Sequence, residues 1–168
     1  APSLDENFNM AISMASGEYV WIFGDDDLIV EDFLAELITY LKSSSPDSVI
    51  LNSCSFQDQG QVEASRLALD SLIVYGPNDN DSFLTDQGGY LTYVGCIVIR
   101  KKLWEKYFRS EKVGTFFAHT DAIFRAKIGH SFHYLPRPAI KMRLHMQTWT
   151  AKHFEIWNIY FPEVIWTL

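Results

Sequence analysis

From Glu18 to Phe23 the chain is short and almost continuously apolar; Gly24 closes the run, and three aspartates, Asp25, Asp26 and Asp27, follow at once. A run of this kind reads as a central strand buried on both faces. Gly24 breaks the strand, so the acids fall in the turn beyond it. Three adjacent carboxylates at the end of a buried strand repel one another with little screening. A fold keeps them there readily if a cation neutralises them, and carboxylates are hard oxygen donors suited to Mg²⁺ or Mn²⁺. The competing account is a solvated acidic turn that caps the next helix, since carboxylates favour a helix N-terminus.

The rest of the chain reads as strands alternating with helices, an α/β pattern. Phe8, Ala11, Ile12 and Ala15 share one face of a helix ended by Ser16-Gly17. A second helix over 31–42 repeats Phe33, Leu34, Leu37, Ile38 and Leu41 at helical spacing. Residues 48–56 are a second buried strand, and 57–89 a long loop with one short helix. A third strand is predicted over 93–99, helices over 101–108 and 120–128, and strands over 131–135 and 139–144 around Pro136 and Pro138. The stretch 150–168 reads as a helix kinked at Pro162. In α/β sheets ligands bind beyond the carboxyl ends of strands, where Asp25 to Asp27 would lie.

With 168 residues, 48% hydrophobic and 21% charged, the chain can bury a core and is not disordered. A net charge of −7 argues against a nucleic-acid partner, which needs a basic face. Cys54 and Cys96 sit in apolar stretches without metal-ligand spacing and read as buried reduced thiols. No run reaches the roughly 18 apolar residues of a spanning helix, so cytoplasmic residence is the default.

The segment Asn9-Met-Ala-Ile-Ser-Met-Ala-Ser-Gly-Glu-Tyr-Val-Trp-Ile-Phe-Gly-Asp-Asp-Asp27 resembles family 2 glycosyltransferases of the GT-A fold, in which such a lead-in runs to an acidic DxD-type motif. The resemblance covers Asn9 to about Trp149. Its FGDDD variant is most similar to transferases that add deoxysugars to bacterial surface polysaccharides such as O-antigen, the abequosyltransferases among them. It implies a partial GT-A, Rossmann-like mixed sheet flanked by helices, with 1–168 as a single partial catalytic domain. That domain would carry the acidic motif and acceptor region, the first nucleotide-binding strands being missing. Asp25 would lie near the donor ribose or sugar with Asp26, and Asp27 would contact the metal, Mn²⁺ or Mg²⁺. Many relatives carry an acid where Gly24 stands, which leaves the division of labour among the aspartates open.

Downstream, Phe117-Ala-His-Thr-Asp121 resembles the family's acidic pair at the start of a helix, with Thr120 replacing the first acid. Asp121 would be the base that takes the acceptor proton, or a helix cap. Met142-Arg-Leu-His-Met-Gln-Thr-Trp149 resembles the late R-x-H segment. There His145 would complete the metal shell with Asp27 and Asp25, and Arg143 would offset the donor's diphosphate. Gly95 would admit close approach of backbone to the sugar, or mark a bulge. His130 and His133 face opposite sides of a strand and are rejected as a metal pair.

The implied function is inverting transfer from a nucleoside-diphosphate sugar to a saccharide or lipid-linked saccharide acceptor. Two alternatives stand beside it: a catalytically incomplete metal- or glycan-binding fragment, and a haloacid-dehalogenase-type phosphotransferase, which leaves the lead-in unexplained. The aromatic face of Phe154, Trp157, Tyr160, Phe161 and Trp166 packs on the domain or touches the inner face of a membrane.

Overall fold

Strand β3, Ser48–Phe56, is buried at every position, and the fold is built around it. The computed structural model describes residues 3–56, 62–143 and 152–167. The other strands are β1 (Tyr19–Trp21), β2 (Leu28–Ile29), β4 (Val62–Ser65), β5 (Ile73–Tyr75), β6 (Ile97–Arg100) and β7 (Phe132–Arg143). The strand order is β1-β6-β3-β7-β2, with β4 added to β3 and β5 to β7. Only β3 and β7 run parallel among the paired strands described; the remaining pairs are antiparallel. The sheet is therefore mixed, as expected.

Alternation along the strands shows that β3 is covered on both sides. Ile50, with Ile97, Ile99 and Val20, packs beneath helices α1 (Leu4–Met14), α3 (Asn80–Gln87), α4 (Lys101–Tyr107) and α5 (Ala118–Lys127). Val49, Leu51 and Val98 face the opposite way, onto Phe33 and Leu37 of α2 (Phe33–Ser44). Burying side chains of this size contributes about 1.5–3 kcal/mol each. Cys54 and Cys96 are both buried free thiols.

Several expectations are corrected. The strand before the aspartates is shorter than predicted: β1 is three residues long, and among the described residues it stands at one end of the strand order. Its apolar character comes from having both faces covered, Val20 on one side and Tyr19 and Trp21 on the other. The stretch 57–89 contains β4 and β5 as well as α3. The predicted strand at Tyr93 begins only at Ile97, after two 3₁₀ turns, Tyr90–Thr92 and Val94–Cys96. The two strands around the prolines are one strand, β7, whose register against β3 slips between Leu51 and Ser53. Proline cannot donate to a ladder. At the slip the side chain of Asn52 bridges the two strands, donating from Nδ2 to the Pro136 carbonyl at 2.9 Å. Pro162 stands within a continuous helical stretch, in the first turn of helix α7 (Phe161–Ile165). The turn before it, Ile156–Tyr160, is π-helical and follows the short helix α6, His153–Glu155.

One long-range tie was not foreseen. Asp5 of α1 is buried, and its carboxylate accepts from the backbone N–H groups of Gly114 (2.8 Å), Phe116 (3.0 Å) and Ala118 (3.2 Å). These amides lead into α5 and include Phe116 at a φ of 68°, in the left-handed region. Burial raises the pKa of Asp5 against the opposing pull of the three amides.

Candidate functional site

The acidic turn lies between β1 and β2, and β2 pairs with β7, Leu28 opposite Lys141. That pairing brings the end of β7 onto the aspartates: the Arg143 backbone N–H donates to Asp27 Oδ1 at 3.1 Å. Asp27 Oδ2 accepts from the Tyr93 hydroxyl at 2.5 Å. Each oxygen of Asp27 thus has one fixed partner and a lone pair remaining. Burial is the main cause that raises the Asp27 pKa; the two hydrogen bonds pull it down, and neighbouring Asp26 pushes it up. Asp25 is exposed, whereas Asp26 and Asp27 are half-buried.

Gly24 shows why the acids can fold back. A Cβ there would stand 2.8 Å from Asp26 Oδ1 and 3.3 Å from Asp27 Oδ2. Both carboxylates converge on the face that only a glycine leaves open. The capping account does not hold, because β2 separates the triplet from α2, whose N-cap is Asp32.

Among the described residues, no three of His, Cys, Asp or Glu are close enough to hold a metal ion. Two converging carboxylates nevertheless suit a hard cation that draws its other ligands from a bound diphosphate, since Mg²⁺ takes one or two carboxylates plus phosphate oxygens. His145 and Trp149 lie outside the described residues. The Arg143 guanidinium sits 5.5 Å from the centre of the Phe56 ring.

Asp121 is placed differently. It is fully buried, and both oxygens are held by guanidinium groups: Arg109 Nε at 2.9 Å and Nη2 at 2.8 Å, Arg125 Nε at 3.2 Å from each oxygen. A general base needs a lone pair within reach of the proton it takes, and this arrangement presents none to an acceptor. Nor is Asp121 the N-cap of its helix, which is Phe117. Arg125 continues to the Thr167 carbonyl at 2.5 Å, so the carboxylate binds α5 to the Arg109 segment and to the last described turn. Next to it, His119 is buried; its Nε2 meets the Thr92 carbonyl at 3.2 Å, and Nδ1 has no hydrogen-bond partner among the described residues. Burial pushes its pKa down to about 4. His133 pairs with the Tyr40 hydroxyl and His130 with Asp47, two separate settings.

The residue that sequence reasoning missed is Tyr93. A signal was present in Gly95: a Cβ there would lie 2.6 Å from the Tyr93 ring and hydroxyl, so this glycine makes room for a side chain of its own chain.

A mixed sheet covered by helices on both faces is the architecture of GT-A glycosyltransferases. Residues 4–108 match the model of glycosyl transferase family 2, and the chain belongs to that family. It is similar to abequosyltransferase RfbV of Salmonella typhimurium, 30% identical over a 152-residue alignment that covers 83% of this chain and 45% of that protein. The chain thus spans less than half the length of that relative. Among solved structures it resembles S. aureus TarS 1–349 with a TM-score of 0.62 at 15% identity, covering 97% of this chain and 43% of that one. TarS in complex with UDP-GlcNAc matches at a TM-score of 0.56 and 16% identity, covering 88% of this chain and 40% of that one.

Proposed function

We propose that this chain is part of the catalytic domain of an inverting glycosyltransferase that builds a bacterial surface polysaccharide. The donor is a nucleoside-diphosphate sugar, and the acceptor a hydroxyl of a saccharide or lipid-linked saccharide. The observation that carries the reading is the acidic turn, with Asp26 and Asp27 converging beside Gly24 and Asp27 tied to the end of β7. Family membership supports it, as do the abequosyltransferase named among its relatives and the UDP and UDP-GlcNAc complexes of TarS.

In this proposal Asp27 and Asp26 face a Mn²⁺ or Mg²⁺ ion, and exposed Asp25 meets the donor's sugar or ribose. Arg143 offsets diphosphate charge, and His145, two residues further along, is a further ligand proposed from sequence alone. A cation held there would supply positive charge to the departing diphosphate. The acceptor oxygen bonds to the anomeric carbon as the bond from that carbon to the diphosphate oxygen breaks; the diphosphate leaves with the electron pair, and the acceptor proton passes to a base. For Asp121 to be that base, Arg109 must first swing off it. Peripheral membrane contact at the cytoplasmic face, through exposed Phe154 and Trp166, completes the proposal.

The test is titration of Mn²⁺ with a panel of sugar nucleotides into the wild-type protein and Asp27→Ala. Loss of metal-dependent donor binding in the variant is expected; unchanged binding overturns the proposal.

A further inference from the structure

We infer that Tyr93 is a positioning residue for the donor site: its hydroxyl fixes the orientation of the Asp27 carboxylate, and Gly95 is glycine so that it can. This rests on reading the acidic turn as the cation and donor site.

Four observations carry it. The Tyr93 hydroxyl lies 2.5 Å from Asp27 Oδ2, while Arg143 N–H holds Oδ1, so the carboxylate is gripped at both oxygens and cannot rotate without breaking one bond. The ring lies across the space a Cβ of Gly95 would fill, 2.6 Å from that position. Gly95 is itself fixed, its carbonyl accepting from Trp21 Nε1 of β1 at 2.7 Å. The segment is then pinned to the sheet centre by Tyr90, whose hydroxyl reaches the Leu51 carbonyl at 2.9 Å and Ser53 Oγ at 2.8 Å.

The contacts form a closed frame. Trp21 and Asp27 belong to the two ends of one β1–turn–β2 segment, and Gly95 and Tyr93 are two residues apart on a second segment that holds both. A phenol is a neutral hydrogen-bond donor at neutral pH. A neutral donor fixes the carboxylate without cancelling its charge, which a guanidinium would do. Groups that orient a ligating carboxylate in this way typically tune metal affinity by about 10–100-fold.

The experiment uses the full-length protein and Mn²⁺ alone, then Mn²⁺ with UDP, CDP, GDP or dTDP, measured by calorimetry. Mn²⁺ electron paramagnetic resonance and thermal unfolding are recorded in parallel. Tyr93→Phe, which keeps the ring, is expected to lower Mn²⁺–nucleotide affinity by about ten-fold and to alter the bound Mn²⁺ spectrum while the unfolding temperature holds. Added to Asp27→Asn, it should change affinity less than about two-fold, because the carboxylate it orients is gone. Gly95→Ala should reproduce the loss by displacing the ring; if that variant does not fold, Tyr93→Phe alone carries the test. Wild-type affinity in Tyr93→Phe, or an equal loss in the Asp27→Asn background, overturns the inference and leaves the donor-site reading standing. A wild-type protein that binds none of the four nucleotides with Mn²⁺ overturns that reading, and this inference with it.

Discussion

Two carboxylates in this fold are fixed by opposite means. Asp121 is fully buried and neutralised within the protein by two guanidiniums, Arg109 and Arg125. Asp27 is half-buried and held by a phenol and a backbone amide, donors that orient it without removing its charge. Charge already cancelled serves to hold elements together, whereas charge left over and aimed is what a cation or its ligand can use. The sequence presents both as acids near strand or helix ends, and only their partners tell the roles apart.

The largest effect that tests this contrast is on stability. Asp121→Asn is expected to cost about 3 kcal/mol, near the lower end for breaking a buried ion pair, because the two arginines left behind are partly open to water. Thermal or urea unfolding measures it. A folded variant of wild-type stability that binds donor but transfers nothing would restore Asp121 as the base.

Acid should strike the same region next. His119 is neutral in the fold, with its pKa depressed to about 4 from 6.5 by burial. The unfolded chain takes up the proton first, so the stabilisation is complete above pH 6.5 and is lost as pH falls through 4. The change over that window is about 3 kcal/mol. Unfolding free energies measured from pH 7 to 4 should show it, and His119→Gln should flatten that limb.

A smaller and different effect is predicted at the acidic turn. Asp27→Ala should weaken Mn²⁺-dependent donor binding at least ten-fold, about 1.4 kcal/mol, while unfolding stays near wild type. A large drop in stability with no change in binding would give Asp27 the structural role and end the contrast. The smallest effect belongs to the ion pair of Arg100 with Glu18, whose carboxylate side chain is 71% exposed. Glu18→Gln should cost no more than about 1 kcal/mol by the same unfolding assay.

How much of this was legible depends on where the information lies. The strand at 48–56 is readable from the apolar run Val49-Ile50-Leu51 at its centre, and α2 from apolar residues that recur at helical spacing. β5 escaped because it is only three residues long, too short to show a period. The apolar run at β1 reports two covered faces, Val20 on one and Tyr19 and Trp21 on the other, and by itself says nothing of the strand's place in the order. The acidic turn and Arg143 were singled out from charge and resemblance, and the β2–β7 pairing places them side by side. Tyr93 was not, because its partner Asp27 lies 66 residues away, and no local pattern encodes a pairing over that span. Asp121 was recognised by position in a motif, but motif position carries no record of what arrives from Arg109.

The grip of Asp5 on three amides has a consequence for exchange with solvent. While α1 stays docked, the N–H groups of Gly114, Phe116 and Ala118 are covered by one carboxylate. If α1 lifts away, all three are released together. In deuterium their protons should be lost at one common rate, set by how often the first helix detaches. The segment entering α5 would thereby serve as an internal clock for the opposite end of the chain.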